Sequence, residues 1–171
     1  MVVWAEIPFI SRFINTKEAK EDTVRQMREL IMQNYNHPSI CFWGISNEIT
    51  MGGESDELVE NQRILQKLCH KLDPSRKTVL ANLTTVESQS EQNKITDLLA
   101  YNVYMGWYAG KVEDCGAWMD SLHKENSDMC MGISEYGADT NVQYHSDAPK
   151  RQDYTEEYQS YYHEKMLQAI Q

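Results

Sequence analysis

The sequence lacks the features of membrane, secreted and nucleic-acid-binding proteins. No apolar run approaches the roughly 20 residues that cross a bilayer, and the amino terminus has neither the basic nor the apolar segment of a signal peptide. Basic residues are also scarce, because 16 lysines and arginines stand against 26 aspartates and glutamates, for a net charge of −10. Nucleic-acid phosphates need a basic surface. We therefore predict a cytoplasmic protein with no membrane and no nucleic-acid partner.

Cysteine and histidine are few, and their spacing excludes the common metal sites. None of the four cysteines forms a CxxC pair with another: Cys41, Cys69, Cys115 and Cys130. The five histidines show no metal spacing either, and no phosphate-binding loop is present. We predict buried free thiols in a reducing compartment, no metal and no cofactor.

What the sequence does contain is an alternation of strand-like and helix-like segments. Strands are predicted over 2–7, 39–46, 78–83, 98–104 and 129–134, and helices over 17–34, from 56 to the residues before Pro74, around 112–122, and over 153–170. Residues 86–95 are predicted to be a weak helix or a loop. Such alternation is typical of parallel β/α units, in either a barrel or a doubly wound sheet. Pro8 to Ile10 stand where a doubly wound nucleotide-binding fold has its glycine-rich turn, which favours the barrel.

Side chains that can cap helices precede the first two helical segments. Asn15, with Glu18 three residues later, forms a capping-box pattern before the first helix. Asp56 is in a position to cap the second. We expect these residues to accept hydrogen bonds from the first free backbone N–H groups of each helix.

Two apolar strand-like runs each stop at a glutamate. The first extends from Asn36 to Glu48, and the second reads Gly132-Ile133-Ser134-Glu135-Tyr136-Gly137. Barrel enzymes carry their catalytic groups at the carboxyl ends of strands. Two carboxylates from different strands can cleave a glycosidic bond, one as acid/base and one as nucleophile. A retaining mechanism needs the two carboxyl groups about 5–5.5 Å apart.

These two runs resemble the acid/base and nucleophile motifs of glycoside hydrolase family 2. The first matches from the leading Asn-His-Pro through Trp-Gly to Asn-Glu, and the second match continues to Asp139 and again over 144–145 and 153–159. The resemblance implies a TIM barrel that hydrolyses β-glycosides, with Glu48 as acid/base and Glu135 as nucleophile.

A third segment, between the two glutamates, also resembles this family. It reads Asn102-Val103-Tyr104-Met105-Gly106-Trp107-Tyr108. The resemblance implies that Tyr104 donates a hydrogen bond to the nucleophile carboxylate. It further implies that Asn102 and Tyr108 line the sugar site and that Trp107 packs beneath it, although an aromatic residue serves equally well in a core.

Three more residues are candidates for substrate binding. The Asn47 side-chain amide is suited to hydrogen-bonding a sugar hydroxyl. Glu6, at the end of the first strand, matches an acidic position of the family and would bind substrate or shape the field of the site. His145 lies in the part of the match that follows the nucleophile.

The resemblance covers only part of the family's catalytic domain. Residues 1–171 correspond to barrel strands three to seven, so we predict a partial TIM-barrel catalytic domain without strands one, two and eight or the preceding β-sandwich domains. Open parallel edges favour association, and a homo-oligomer is therefore expected. The isolated chain is expected to have little activity, because the walls that hold the sugar are absent.

The sequence leaves three functions open. The first is a retaining β-galactosidase that acts on terminal β-galactosides, with a carbohydrate as its partner. The second is a β-glucuronidase of the same family, since the motifs suit both. The third is a catalytically inactive, self-associating fragment.

Overall fold

The computed structural model describes residues 1–171 as alternating strands and helices. The strands are β1 (Val3–Glu6), β2 (Ile40–Asn47), β3 (Lys77–Leu83), β4 (Leu98–Val103) and β5 (Cys130–Tyr136). The helices are α1 (Lys17–Asn34), α2 (Asp56–Leu72), α3 (Cys115–Glu125) and α4 (Glu156–Ile170), with 3-10 turns at Glu91–Lys94 and Val112–Asp114.

The sheet has the strand order of a barrel. Its five strands follow one another in sequence order, β1-β2-β3-β4-β5, and β1, β2 and β3 pair in parallel. A doubly wound sheet would reverse its order at a switch point. The predicted α/β fold, parallel β/α units of a (β/α)8 barrel with five of its strands, is therefore confirmed.

The chain divides into two compact units. The first contains residues 1–101 and 128–132, and the second contains residues 102–127 and 133–171. The predicted site residues also divide: Glu6, Asn47 and Glu48 belong to the first unit, and Asn102, Tyr104, Trp107, Tyr108, Glu135 and His145 to the second.

The core of the first unit forms where α1 packs against β1 and α2, and α2 packs against β2 and β3. Apolar side chains recur every three or four residues on both helices, so each helix buries a single face. Each large apolar side chain buried in this way contributes about 1.5–3 kcal/mol. The buried residues of this layer include Met27, Ile31, Trp43, Ile45, Leu58, Leu65 and Cys69.

Both predicted helix caps are off by one residue. Thr16, not Asn15, is the N-cap of α1, and Ser55, not Asp56, is the N-cap of α2. Each has an extended backbone, and its side-chain oxygen accepts a hydrogen bond from the N–H three residues later at 3.2 Å. Asp56 is already helical, and its charge instead stabilises the first turn through the helix dipole.

An arginine ties the carboxyl end of α2 to the start of β2. The Arg76 Nη1 donates to the buried Asp73 carboxylate at 2.6 Å, and the Trp43 indole N–H donates to the same oxygen at 3.0 Å. The other guanidinium nitrogens donate to three backbone carbonyls, those of Tyr35, His37 and Ile40. Because one planar guanidinium donates to four acceptors, one carboxylate and three carbonyls, Arg76 fixes the entry of the chain into β2.

A second carboxylate, which is half-buried, joins β3 to the segment before β4. Asp97 Oδ2 accepts hydrogen bonds from the Thr78 backbone N–H (2.7 Å), the Thr78 hydroxyl (2.8 Å) and His70 Nε2 (2.8 Å). Burial raises the pKa of Asp97, but the hydrogen bonds from Thr78 and His70 outweigh it and lower the pKa to about 2. The ionised carboxylate is therefore part of the folded structure at neutral pH.

We expect Asp97 to make folding sensitive to acid. Its pKa lies lower in the folded chain than in the unfolded chain, so its stabilisation is complete above about pH 4 and is lost as the pH falls towards 2. The difference in free energy of unfolding between the unaltered chain and Asp97→Asn should shrink by about 2 kcal/mol over that range. Urea denaturation at several pH values measures it. Asp120→Asn, on the exposed face of α3, is the control; an equal pH dependence in both variants would contradict the assignment.

The core of the second unit is rich in tyrosine. Tyr158, Tyr162 and Met166 are buried along one face of α4. The Tyr162 hydroxyl donates to the Val103 carbonyl at 3.2 Å, and the Tyr158 hydroxyl donates to the Gly106 carbonyl. Each buried hydroxyl thus has an acceptor, and α4 is anchored to the end of β4.

The thiols are less buried than expected. The four cysteines are free, and Cys69 and Cys115 are buried, but Cys41 is only half-buried and Cys130 is exposed. Burial raises the pKa of Cys69 to about 12 and that of Cys115 to about 11. The prediction of buried thiols is wrong for Cys130, because β5 is the last strand in the sheet order and its first residues have less cover.

Candidate functional site

Strand β2 carries a β-bulge just before the predicted acid/base residue. Gly44 pairs with Val79 and Asn47 with Ala81, so three steps along β2 correspond to only two along β3. The extra residue lies within Ile45–Ser46. A bulge bends its strand and re-aims the side chains that follow, and here the next side chains are those of Asn47 and Glu48.

Glu48 stands directly after β2 in a left-handed backbone conformation. Its φ is +47°, which costs a residue other than glycine about 1–3 kcal/mol and occurs where the surroundings impose it. Glu48 donates its backbone N–H to the Ala81 carbonyl at 2.9 Å and accepts from the Met51 N–H at 3.1 Å. The bulge and this turn together set the backbone position from which the Glu48 side chain leaves the carboxyl end of the strand.

The segment after β1 supports the same turn. Ile10 pairs with Asn47 in a parallel bridge, and Arg12 pairs with Thr50 in an antiparallel one. Asn47 donates its backbone N–H to the Phe9 carbonyl at 3.0 Å. Glu48 is therefore flanked by residues that hydrogen-bond to both neighbouring strands or their loops.

Glu6 lies against the backbone of β2 at a glycine. The Trp4 indole N–H donates to Glu6 Oε2 at 2.9 Å, and both side chains pass over Gly44. A β-carbon on Gly44 would come within 2.4 Å of the Glu6 Cβ and 2.3 Å of the Trp4 Nε1. Gly44 and Trp4 were not among the predicted site residues, although a glycine within a strand of bulky residues is a sequence signal for close approach.

The predicted nucleophile is hydrogen-bonded to the tyrosine expected from the resemblance. Glu135 lies within β5, which continues two residues beyond the predicted end to Tyr136. The Tyr104 hydroxyl donates to Glu135 Oε2 at 3.0 Å. The Tyr104 ring packs against that of Tyr108, whose side chain is 64% exposed, with centroids 5.0 Å apart. The carboxylate thus has a fixed orientation beside an exposed aromatic ring.

Asn102 is held by a serine that sequence reasoning missed. Its side chain is buried, and its Oδ1 accepts a hydrogen bond from the Ser134 hydroxyl at 2.6 Å. Ser134 precedes Glu135 in the second glutamate motif, and this adjacency was the available signal. The bond ties the Asn102 side chain to β5, at the residue before Glu135.

Trp107 is an internal residue of the second unit. It is 2% exposed and packs edge-on against Tyr154 at 5.2 Å between centroids, with Tyr158 at 6.2 Å on another side. This environment agrees with the core role that an aromatic residue serves at this position. Its expected place beneath the sugar stays a prediction.

His145 is engaged with the start of α4. Its Nδ1 lies 2.9 Å from Glu157 Oε1, and its Nε2 lies 3.9 Å from Glu156. The Glu157 carboxylate also accepts the Ser146 backbone N–H at 3.3 Å. The hydrogen bond with Glu157 and the charge of that carboxylate raise the pKa of His145. His145 therefore ties the segment after β5 to α4, and its role in substrate binding stays a prediction.

The structure contains neither a metal-binding cluster nor a helix suited to a membrane. No group of three or more histidine, cysteine, aspartate or glutamate side chains within residues 1–171 is arranged to hold a metal ion. None of the helices has the length and apolar character needed to span a bilayer.

Comparison with known proteins decides the family. Residues 5–171 match the TIM barrel domain of the glycosyl hydrolases family 2. The chain belongs to this family. The resemblance inferred from the three motifs is thereby confirmed, and it extends over nearly the whole of this family 2 chain.

Individual relatives include both kinds of enzyme that the motifs suggested. A β-glucuronidase from Bacteroides fragilis is 36% identical over 175 residues, which cover 95% of this chain and 24% of that protein. The crystal structure of an FMN-binding β-glucuronidase from Facaelibacterium prausnitzii L2-6 is 53% identical, with a TM-score of 0.96 over 99% of this chain and 26% of that one. A putative β-galactosidase from Bacteroides fragilis is 32% identical, with a TM-score of 0.88 over 99% of this chain and 25% of that one.

The match covers only part of the length of each relative. The family 2 chain spans about a quarter of the length of the relatives named above. The two with the higher identity are β-glucuronidases, so the names favour the glucuronidase alternative over the galactosidase that was expected first.

Proposed function

We propose that this chain carries the two catalytic carboxylates of a retaining β-glycosidase, and that the substrate is a β-glucuronide. Glu135 is the nucleophile and Glu48 the acid/base. The observation that carries the proposal is the hydrogen bond from the Tyr104 hydroxyl to the Glu135 carboxylate, 3.0 Å long. It gives a strand-borne carboxylate the fixed orientation that a nucleophile needs.

In the first step, Glu135 attacks the anomeric carbon while Glu48 protonates the departing glycosidic oxygen. The bond between sugar and aglycone breaks, and a covalent glycosyl ester forms on Glu135. Tyr104 donates a hydrogen bond to Oε2 of Glu135, so the carboxylate is already oriented when the sugar binds. It does not have to reorient during the reaction.

In the second step, Glu48 acts as a base. It removes a proton from a water molecule, which attacks the anomeric carbon and releases Glu135, so the sugar leaves with its original configuration. The backbone turn at Glu48 suits this double role, because its hydrogen bonds to Ala81 and Met51 keep the backbone of the residue in one place through both steps.

The choice of a glucuronide depends on the relatives. Both β-glucuronidases named above are more similar to this chain than the putative β-galactosidase is. The motif residues themselves suit either sugar, since the nucleophile and the acid/base act at the anomeric carbon that both sugars share.

A comparison of matched substrates tests this function. The complete product of the gene is assayed with 4-nitrophenyl β-D-glucuronide and 4-nitrophenyl β-D-galactoside, and the configuration of the first product is followed by proton NMR. We expect a higher kcat/KM for the glucuronide and a product of retained configuration. A preference for the galactoside would overturn the substrate assignment, and no hydrolysis of either would overturn the function.

Removal of the Tyr104 hydroxyl should slow hydrolysis with little effect on folding. A hydrogen bond to a charged group contributes about 1.5–3 kcal/mol, so Tyr104→Phe should lower kcat/KM by about tenfold to a hundredfold. Tyr161→Phe is the matched control, because Tyr161 also donates its hydroxyl to a glutamate, Glu113, on the surface. An equal loss in both variants would contradict a specific role for Tyr104.

A further inference from the structure

A buried side chain of α2 reaches the β-bulge that precedes Glu48. Ser46 lies in the bulge and is completely buried, and its hydroxyl oxygen accepts a hydrogen bond from Gln62 Nε2 at 3.1 Å. Within strands, ladder hydrogen bonds set the position of each residue, but a bulge interrupts the ladder. The bond from Gln62 therefore adds a contact from the helix layer at the point where the ladder is interrupted.

Gln62 is an unusual residue for its position. It is completely buried, between leucines that form the apolar face of α2, and its Nε2 has only one further partner, Gln92 Oε1 at 3.5 Å. Its Oε1 has no partner within the protein. A buried amide that is only partly hydrogen-bonded is costly compared with an apolar side chain of the same size. Stability alone does not account for a glutamine here.

We propose that Gln62 is a positioning residue for the acid/base Glu48, acting through the bulge at Ser46. This inference rests on the proposed function. Ser46 is two residues from Glu48, and the Glu48 backbone N–H donates to the Ala81 carbonyl of β3 at 2.9 Å. Gln62 is the contact from the helix layer. Together these contacts tie the bulge to α2 and the left-handed turn to β3.

The effect of Gln62 should be confined to proton transfer. A shift of the Glu48 carboxyl away from the glycosidic oxygen weakens protonation of the leaving group. Substrates whose aglycone leaves readily without a proton are insensitive to such a shift, whereas those with a basic leaving group depend on it. Glu135 is carried by a different strand, so its attack on the sugar remains.

The experiment compares aryl glucuronides that differ in their leaving group. The complete gene product and the variants Gln62→Met, Ser46→Ala and Glu48→Ala are assayed with phenyl β-D-glucuronide and 2,4-dinitrophenyl β-D-glucuronide, and with the corresponding galactosides. We expect Gln62→Met and Ser46→Ala to lose about tenfold in kcat/KM on the phenyl substrate and less than twofold on the dinitrophenyl substrate. The double variant that combines Gln62→Met with Ser46→Ala should lose no more kcat/KM than either single variant, because both changes remove the same contact.

Asn61→Leu is the matched control. Asn61 is the adjacent buried amide of α2, but it donates to Thr23 of α1 and not to the bulge. It should leave the ratio of the two rates unchanged even if it lowers the melting temperature. If Gln62→Met does not fold, Ser46→Ala, which removes a single oxygen atom, carries the test.

The outcomes separate the two proposals. If Glu48→Ala shows the dependence on leaving group and the Gln62 and Ser46 variants do not, the positioning role is overturned and the proposed function stands. If the variants lose equally on both substrates, Gln62 has a structural role only. If the unaltered protein is inactive, or Glu48→Ala shows no such dependence, the proposed function is overturned and this inference with it.

Discussion

Replacement of Glu135 by glutamine should reduce hydrolysis of aryl β-glycosides by on the order of 10⁴-fold or more, because the covalent step would lose its proposed nucleophile. Glutamine has the same shape and still accepts a hydrogen bond from Tyr104, which lies 3.0 Å from the carboxylate in the unaltered chain. The fold should therefore be retained, and circular dichroism melting of both proteins checks this. The loss would then report on chemistry and not on structure.

A covalent label makes this prediction specific. A 2-deoxy-2-fluoro glycosyl fluoride of the preferred sugar should add one sugar mass to the unaltered protein and none to Glu135→Gln, as intact mass spectrometry measures. Peptide mapping should place the label on β5. Glu164→Gln, which alters an exposed glutamate of α4, is the control and should label normally. A label on another residue, or activity that survives in Glu135→Gln, would refute the assignment.

Replacement of Glu48 by alanine should have an effect that depends on the substrate. General acid–base catalysis contributes about 10²–10⁴-fold, so phenyl glycosides should lose a factor in that range. Dinitrophenyl glycosides should retain fast glycosylation, and the glycosyl ester on Glu135 should accumulate because no base activates water. Added azide, which needs no base, should restore turnover and give a glycosyl azide of retained configuration.

Glu54→Ala is the matched control for this variant. Glu54 follows in the same loop between β2 and α2 and accepts a hydrogen bond from the Ser90 hydroxyl at 2.5 Å. It should show neither the dependence on leaving group nor the rescue by azide. Equal losses on both substrates in Glu48→Ala, with no effect of azide, would show that Glu48 is not the acid/base.

Much of the scaffold was predictable because it depends on local pattern. The bounds of α1 at Lys17 and Asn34 follow from the helical spacing of its apolar residues, and the strands agree with prediction to within two residues. The caps were missed because Asn15 and Thr16 are both able to accept the bond, and only the backbone conformation decides which one does. The exposure of Cys130 depends on its place in the sheet, which periodicity does not report.

The geometry of the candidate site was less predictable than the identity of its candidate residues. The motifs identified Glu48, Glu135 and Tyr104, and the bond between the last two is present. The bulge in β2 depends on the register with β3, and the left-handed backbone of Glu48 depends on partners far along the chain. Gln62 carries no sequence signal, since one polar residue on an apolar helix face has meaning only once its partner is known.

The Arg76 contacts divide the motif from Asn36 to Glu48 into two parts with separate purposes. The first residues of the motif lie at the entry to β2, where the Arg76 guanidinium donates to the carbonyls of Tyr35, His37 and Ile40. The last residue of the motif lies at the exit of the strand. The Asn-His-Pro portion therefore belongs to the folding of the strand, and only the terminal Asn-Glu belongs to the chemistry that we propose. A related sequence could keep the first part intact after losing all enzymatic ability. Searches for active members of such a group should score the glutamate separately from the residues that lead up to it.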